Sequence, residues 1–162
     1  MNTTQALDKA RDLIHEWVVE YTSPERFRCD FDIQPEDFLD VVQALHDGKW
    51  GYLCTITGVD RPSKDEGGID HIDVMYHFAE GEAVVTLHVL LPYDNLRLPT
   101  ICHLIPSASI YEREIMEMLG VMMCDTPDTN KLVLPDNWPD NVFPLRKSFK
   151  GLSPDQINEA KS

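Results

Sequence analysis

An α+β fold is predicted, with a largely antiparallel sheet, helices on one face and a long proline-rich C-terminal arm. Three features carry that prediction. Apolar residues recur at helical spacing near the N-terminus, they alternate with polar ones across the next strands, and prolines punctuate the chain from Pro92 onward.

Leu7, Ala10, Ile14, Trp17, Val18 and Tyr21 form one helical stripe that Pro24 stops. In "FRCDFDI", Phe27, Cys29, Phe31 and Ile33 alternate with Arg28, Asp30 and Asp32, as in a strand with one wet face. Pro35 suits the first position of a second helix, whose stripe is Phe38, Val41, Val42 and Leu45 up to Gly48. "YLCTITGV", "IDVMYHF" and "AVVTLHVLL" then read as three strands. The loop "DRPSKDEGG" separates the first two, and Gly81 between Glu80 and Glu82 makes a tight hairpin between the others.

Residues 1–105 are read as the α+β domain, and 106–162 as a capped helix plus an extended arm of the same structural unit. The helix is "YEREIMEMLG", with Ser109 as N-cap, Glu112 closing a capping box and Gly120 ending it in the left-handed conformation. Arg113 and Glu117 stand at i, i+4 and pair along the helix face. Beyond it, proline removes backbone donors too often for a central strand or a long helix, so the arm must be held by packing.

The chain has 162 residues, enough for one domain with a buried core. Its net charge of −14 argues against nonspecific nucleic-acid binding and against adhesion to anionic lipid. No stretch approaches the ~20 apolar residues of a membrane span, and the N-terminus lacks the pattern of a signal peptide. The expectation is a cytosolic protein that meets a membrane only through a partner. Cys29, Cys54, Cys102 and Cys124 are widely spread, as buried free thiols are and cofactor ligands usually are not.

Two chemical readings compete with docking. Glu112, Glu114 and Glu117 could act as acid–base carboxylates, although no base or nucleophile accompanies them. His71, His77 and His88 on neighbouring strands could make an independent enzyme or a zinc site, although they sit where an alternating sheet is ordinarily polar. No phosphate loop, G-x-S-x-G or Walker signature occurs. Arg146 and Lys147 of "PLRK", among Trp138, Phe143 and Phe149, have the composition of an interface core. Equally, "PLRK" could cap the domain's own helix or pair with Glu112 or Glu114.

"YEREIMEMLGV", Pro127-Asp128, "LVLPDNWPDNVFPLRK" and "LCTITGVD" together resemble the 30 kDa subunit family of respiratory complex I, from Tyr52 to Phe149. Ile110 stands where complex I members usually have Trp, and Asp125-Thr126 replaces their Gly-His. In these respects the chain is more similar to the homologous subunits of membrane-bound energy-converting nickel–iron hydrogenases and formate hydrogenlyase. The 30 kDa subunit of an NADH-quinone oxidoreductase proper is the alternative. The resemblance implies a scaffold without cofactors, peripheral on the cytoplasmic side of the membrane. It would clasp a large subunit (49 kDa-like, or the nickel–iron hydrogenase large subunit) beside iron–sulfur subunits. Tyr111, Glu112, Arg113, Glu114, Trp138, Pro144, Leu145, Arg146 and Lys147 would be the structural and partner-binding motif, with Arg146 a charge-assisted contact to a partner's acid or to Glu114.

Overall fold

The computed structural model describes residues 1–64 and 66–159. Helix α1 (Thr3–Ile14) opens on a capping box in which Asn2 and Gln5 each accept the other's backbone N–H, at 2.9 and 3.0 Å. It buries Ala6, Ala10 and Ile14 along one stripe. The predicted stripe to Tyr21 is corrected here. A short 3-10 turn, His15–Trp17, ends the helix, and strand β1 (Val18–Thr22) follows. Val18, Val19, Tyr21 and Thr22 are β-branched or aromatic, and the neighbouring strand supplies their backbone partners.

That neighbour is β2 (Arg28–Ile33), with the predicted alternation: Cys29, Phe31 and Ile33 are buried. Helix α2 (Phe38–Asp47) begins three residues after Pro35, which lies in the preceding turn, and buries Phe38, Val41, Val42 and Leu45. Strands β3 (Tyr52–Arg61), β4 (His71–Glu80) and β5 (Ala83–Pro92) then form an antiparallel meander, its second hairpin turning at Gly81-Glu82.

The sheet runs β1-β2-β5-β4-β3 and is antiparallel except where β2 lies parallel to β5. Its covered face carries Phe31, Ile56, Tyr76, Leu87 and Val89 into one core shared with α1, α2 and helix α3 (Ala108–Leu119). Gly58 on β3 permits α3 to lie close: a Cβ there would stand 2.3 Å from Leu119 Cδ1. Two three-residue strands flank α3 and pair in parallel, β6 (Arg97–Pro99) with β7 (Met122–Cys124). Pieces so short leave no alternation to read. Residues 125–153 contain neither helix nor strand, and α4 (Pro154–Glu159) ends the described chain.

Candidate partner interface

Helix α3 sits between the sheet edge and the segment after it, and its charged residues divide by neighbour. Glu112 is fully buried. It accepts hydrogen bonds from Thr100 Oγ1 at 2.6 Å, Ile101 N–H at 2.9 Å and the Cys102 thiol at 3.3 Å. The expected Ser109–Glu112 capping box is therefore absent. Ser107 occupies the N-cap position without a side-chain bond, and Ser109 lies inside the helix. The chain before α3 brings three donors beside Glu112, whereas a capping box offers its carboxylate one backbone N–H. Burial, with the Glu112 carboxylate adding to it, pushes the Cys102 thiol up. Tyr76 is buried nearby with its hydroxyl unpartnered, and burial and Glu112 together hold its phenol well above the usual range.

Arg113 and Glu117 reach outward instead of pairing along the helix face. Arg113 donates to the carbonyls of Asn130 and Lys131 at 2.8 and 2.9 Å, and its guanidinium stands 3.2 Å from Asp128. Glu117 accepts the backbone N–H groups of Leu132, Val133 and Leu134 at 3.0, 2.6 and 3.4 Å. A donor fork and a carboxylate thus hold consecutive residues of a segment with no ladder of its own. Lys131 Nζ binds the carbonyls of Asp136 and Trp138, and Trp138 Nε1 donates to Val142 O at 2.8 Å. The Trp138 ring packs at a tilt on Phe149, 6.2 Å between centroids.

"PLRK" returns to the far end of the helix. Leu145 N–H donates to Met118 O at 3.1 Å, and Arg146 Nε to Leu119 O at 2.6 Å. A cation there meets both unpaired terminal carbonyls and the negative end of the helix dipole. The Arg146 guanidinium also lies 4.8 Å over the Tyr93 ring and 5.3 Å from that of Phe143. Of the readings left open by the sequence, helix capping describes this geometry, and no Arg146–Glu114 pair forms among the described residues. Gly120 ends the helix at φ +75°, its N–H on Met116 O, and Phe143 lies where a side chain would project. Lys147 is exposed, and its N–H donates to Asp60 Oδ2 at 2.7 Å. Asp60 is buried and also accepts the Tyr93 hydroxyl; burial and that bond push the Tyr93 phenol up to about 12. Asp60 closes the motif "LCTITGVD", but no local pattern gives it or Tyr93 a role, because Asp60 and Lys147 meet across 87 residues.

Two motif residues remain. Tyr111 packs half-buried against the core. Glu114 is half-buried, and no hydrogen bond or ion pair reaches it among the described residues.

The three histidines are not brought together. His71 Nδ1 lies 3.3 Å from Ile69 O. His77 bridges the hydroxyls of Thr57 at 2.8 Å and Thr86 at 3.1 Å. His88 stands between Asp73, at 3.1 Å, and Asp30, at 3.6 Å. Arg28 pairs with Asp30 at 2.7 Å and Arg61 with Asp73 at 3.1 Å, which completes a row of alternating charge across the outer sheet face. Desolvation lowers the pKa of His77, and the Asp73 hydrogen bond raises that of His88. No cluster of three or more metal-ligating side chains occurs among the described residues. No helix among them is long and apolar enough to cross a membrane.

Known proteins resemble this arrangement. The family described as "Respiratory-chain NADH dehydrogenase, 30 Kd subunit" matches residues 31–155. "Membrane-bound hydrogenase subunit beta" of Pyrococcus furiosus is 34% identical over 104 residues, which is 64% of this chain and 60% of that protein. "Hydrogenase-4 component G" of Escherichia coli K12 is 34% identical over 111 residues, 67% of this chain but 19% of that protein. The chain thus spans less than two thirds of either relative's length. Among solved structures, a chain of the membrane-bound sulfane sulfur reductase, an archaeal respiratory membrane complex, superposes with a TM-score of 0.70 at 21% identity. That superposition covers 91% of this chain and 87% of the other, so the fold itself is shared. By its sequence and its fold, the chain belongs to the respiratory-chain NADH dehydrogenase 30 Kd subunit family.

Proposed function

We propose that the chain is a non-catalytic scaffold subunit in the peripheral arm of a membrane-bound oxidoreductase of the complex I and energy-converting hydrogenase kind. It docks on the large subunit, beside iron–sulfur subunits, on the cytoplasmic side of the membrane. It supports electron transfer coupled to ion translocation without a cofactor of its own. One observation carries the reading: Glu112 and Glu117, two of the three carboxylates that could look catalytic, are engaged with Arg113 and Arg146 as anchors of main chain. Glu112 holds the approach to α3, Arg113 and Glu117 hold residues 128–134, and Arg146 holds the helix end.

The relatives support the partner class. The matching stretch of hydrogenase-4 component G is 19% of one longer polypeptide, so in that protein the same fold is tethered to a much larger body. The family description favours an NADH-quinone oxidoreductase as the parent complex, and the hydrogenase relatives favour the other parent.

The test is purification of the tagged full chain from membranes of its source organism. Stoichiometric recovery of a large subunit and iron–sulfur subunits, released from the membrane together, is the expected result. Nickel in the large subunit would select the hydrogenase parent, and NADH oxidation by the complex would select the other. A chain recovered alone, with turnover or bound metal of its own, would overturn the scaffold.

A further inference from the structure

The sheet has two edges, and only one has the defences of an exposed edge. β1 is five residues long, is bulged between Val18 and Glu20, and carries a charge at Glu20. β3 is ten residues long, and from Tyr52 to Val59 it has neither a charge nor a proline. Its one irregularity lies near the start, between Leu53 and Thr55. Long uncharged edges invite pairing, which is why exposed ones usually carry lysine, proline or a bulge.

The ladder shows which groups are free. Tyr93 N–H donates to Asp70 O, so Ile72, Val74 and Tyr76 turn their backbone groups toward β5. Met75 and His77 then bond Thr57 and Thr55, and the N–H and C=O of Ile56 and Gly58 point away from the sheet. No backbone group outside the ladder reaches them among the described residues. They open into a groove of about 220 Å³ whose far wall is Glu114, Met118 and Leu145. Large apolar side chains stand in the open on the elements that form it. Tyr52 at the start of β3, Ile110 one turn before Glu114 on α3, and Leu145 in its wall are 65, 56 and 56% exposed. Within it lies Glu114, the motif carboxylate that has no partner among the described residues.

We infer that the free edge of β3 takes an extended strand of the large partner, with a basic side chain of that strand set against Glu114. The inference rests on the scaffold reading. Main-chain groups in register select an extended segment, the flanking apolar residues select alternate apolar side chains on it, and Glu114 selects its charge. A second copy of this chain fits poorly, because each copy carries a net charge of −14 and would bring another Glu114 to the same groove.

Amide hydrogen exchange on the full chain, free and in the complex purified with its bound subunits, tests this. In the free chain the Ile56 and Gly58 amides exchange quickly; in the complex they slow by at least about tenfold. Glu114→Lys should leave the free chain's melting and exchange unchanged while lowering recovery of the complex by about tenfold. Free-chain exchange rates at Ile56 and Gly58 inside an intact complex would overturn the strand and leave the scaffold standing. Normal assembly by Glu114→Lys would overturn the basic partner residue. Protection that grows with concentration of the purified chain alone would assign the edge to a second copy. Failure to recover any complex would remove both readings.

Discussion

The two faces of the five-stranded sheet both hold carboxylates, but they satisfy them differently. Under the helices, Glu112 takes a hydroxyl, an amide and a thiol, and Asp60 takes a phenol and an amide. On the outer face, Asp30 and Asp73 take Arg28, Arg61 and His88. Neutral donors on the covered side add no second charge to desolvate, whereas a cation beside solvent keeps part of its hydration. The covered carboxylates therefore fix backbone, tying α3 to the chain before it and Lys147 to β3. The outer row adjusts surface charge. Deletion, salt and pH should act unequally on the two faces.

The largest effect is expected at Glu112. Glu112→Ala leaves the Thr100 hydroxyl, the Ile101 N–H and the Cys102 thiol buried without an acceptor, at about 1–3 kcal/mol for each well-buried donor. A loss of roughly 3–5 kcal/mol should appear as a lower denaturation midpoint at unchanged slope. Glu112→Gln, which keeps one oxygen for Ile101, should lose less. A midpoint that scarcely moves in Glu112→Ala would show that the covered carboxylate does not anchor the fold. Asp73 on the outer face is itself buried, but its partner Arg61 is half-exposed and can turn to solvent, so Asp73→Asn should cost less, about 1–3 kcal/mol.

Gly58→Val comes next, and probes the same face without charge. Its Cβ would meet Leu119 at 2.3 Å and Ile115 at 3.0 Å, so α3 must shift outward. Overpacking of this kind costs about 1–3 kcal/mol. The Arg146–Leu119 contact at the helix end should weaken with it, seen as faster exchange of residues 143–147. A melt equal to wild type would mean that α3 is free to move.

Much of this architecture was legible in the sequence because it is periodic. β2 alternates, and the α2 stripe is buried as its spacing demands. The apolar residues at every second position of β4 and β5 are buried, although Asp73 and Thr86 between them are buried too. The end of α1 was not legible, since Trp17, Val18 and Tyr21 satisfy a helical stripe and also favour a strand. Glu112 was misread because S-x-x-E is a local pattern, while its donors come from a loop 10–12 residues upstream in the chain. Arg146 was legible as an anchor, and capping of the domain's own helix stood among its readings, but nothing in the sequence chose between that end, Glu112, Glu114 and a partner. A carbonyl 27 residues away carries no side-chain signature.

The smallest effect concerns pH, and it separates two histidines of the outer face. His88 has its pKa raised, first by the Asp73 hydrogen bond, so its stabilisation is full below its unfolded value near 6.5 and is lost as pH climbs through the folded value. His77 has its pKa lowered by desolvation, with Arg28 and His88 adding to it. Its stabilisation is present above about 6.5 and is lost as pH falls through the folded value. Stability should therefore peak near 6.5, decline gently toward each folded value and level off beyond it. Both rings are only partly buried, so each limb is about 1 kcal/mol or less. Melting curves from pH 5 to 9 should show His88→Gln flattening the alkaline limb and His77→Asn the acid limb. If both variants flatten the same limb, the two rings titrate as one network through Asp73 and Asp30. If neither variant changes either limb, the outer row contributes nothing to folding, and its charges are left to serve whatever that face meets.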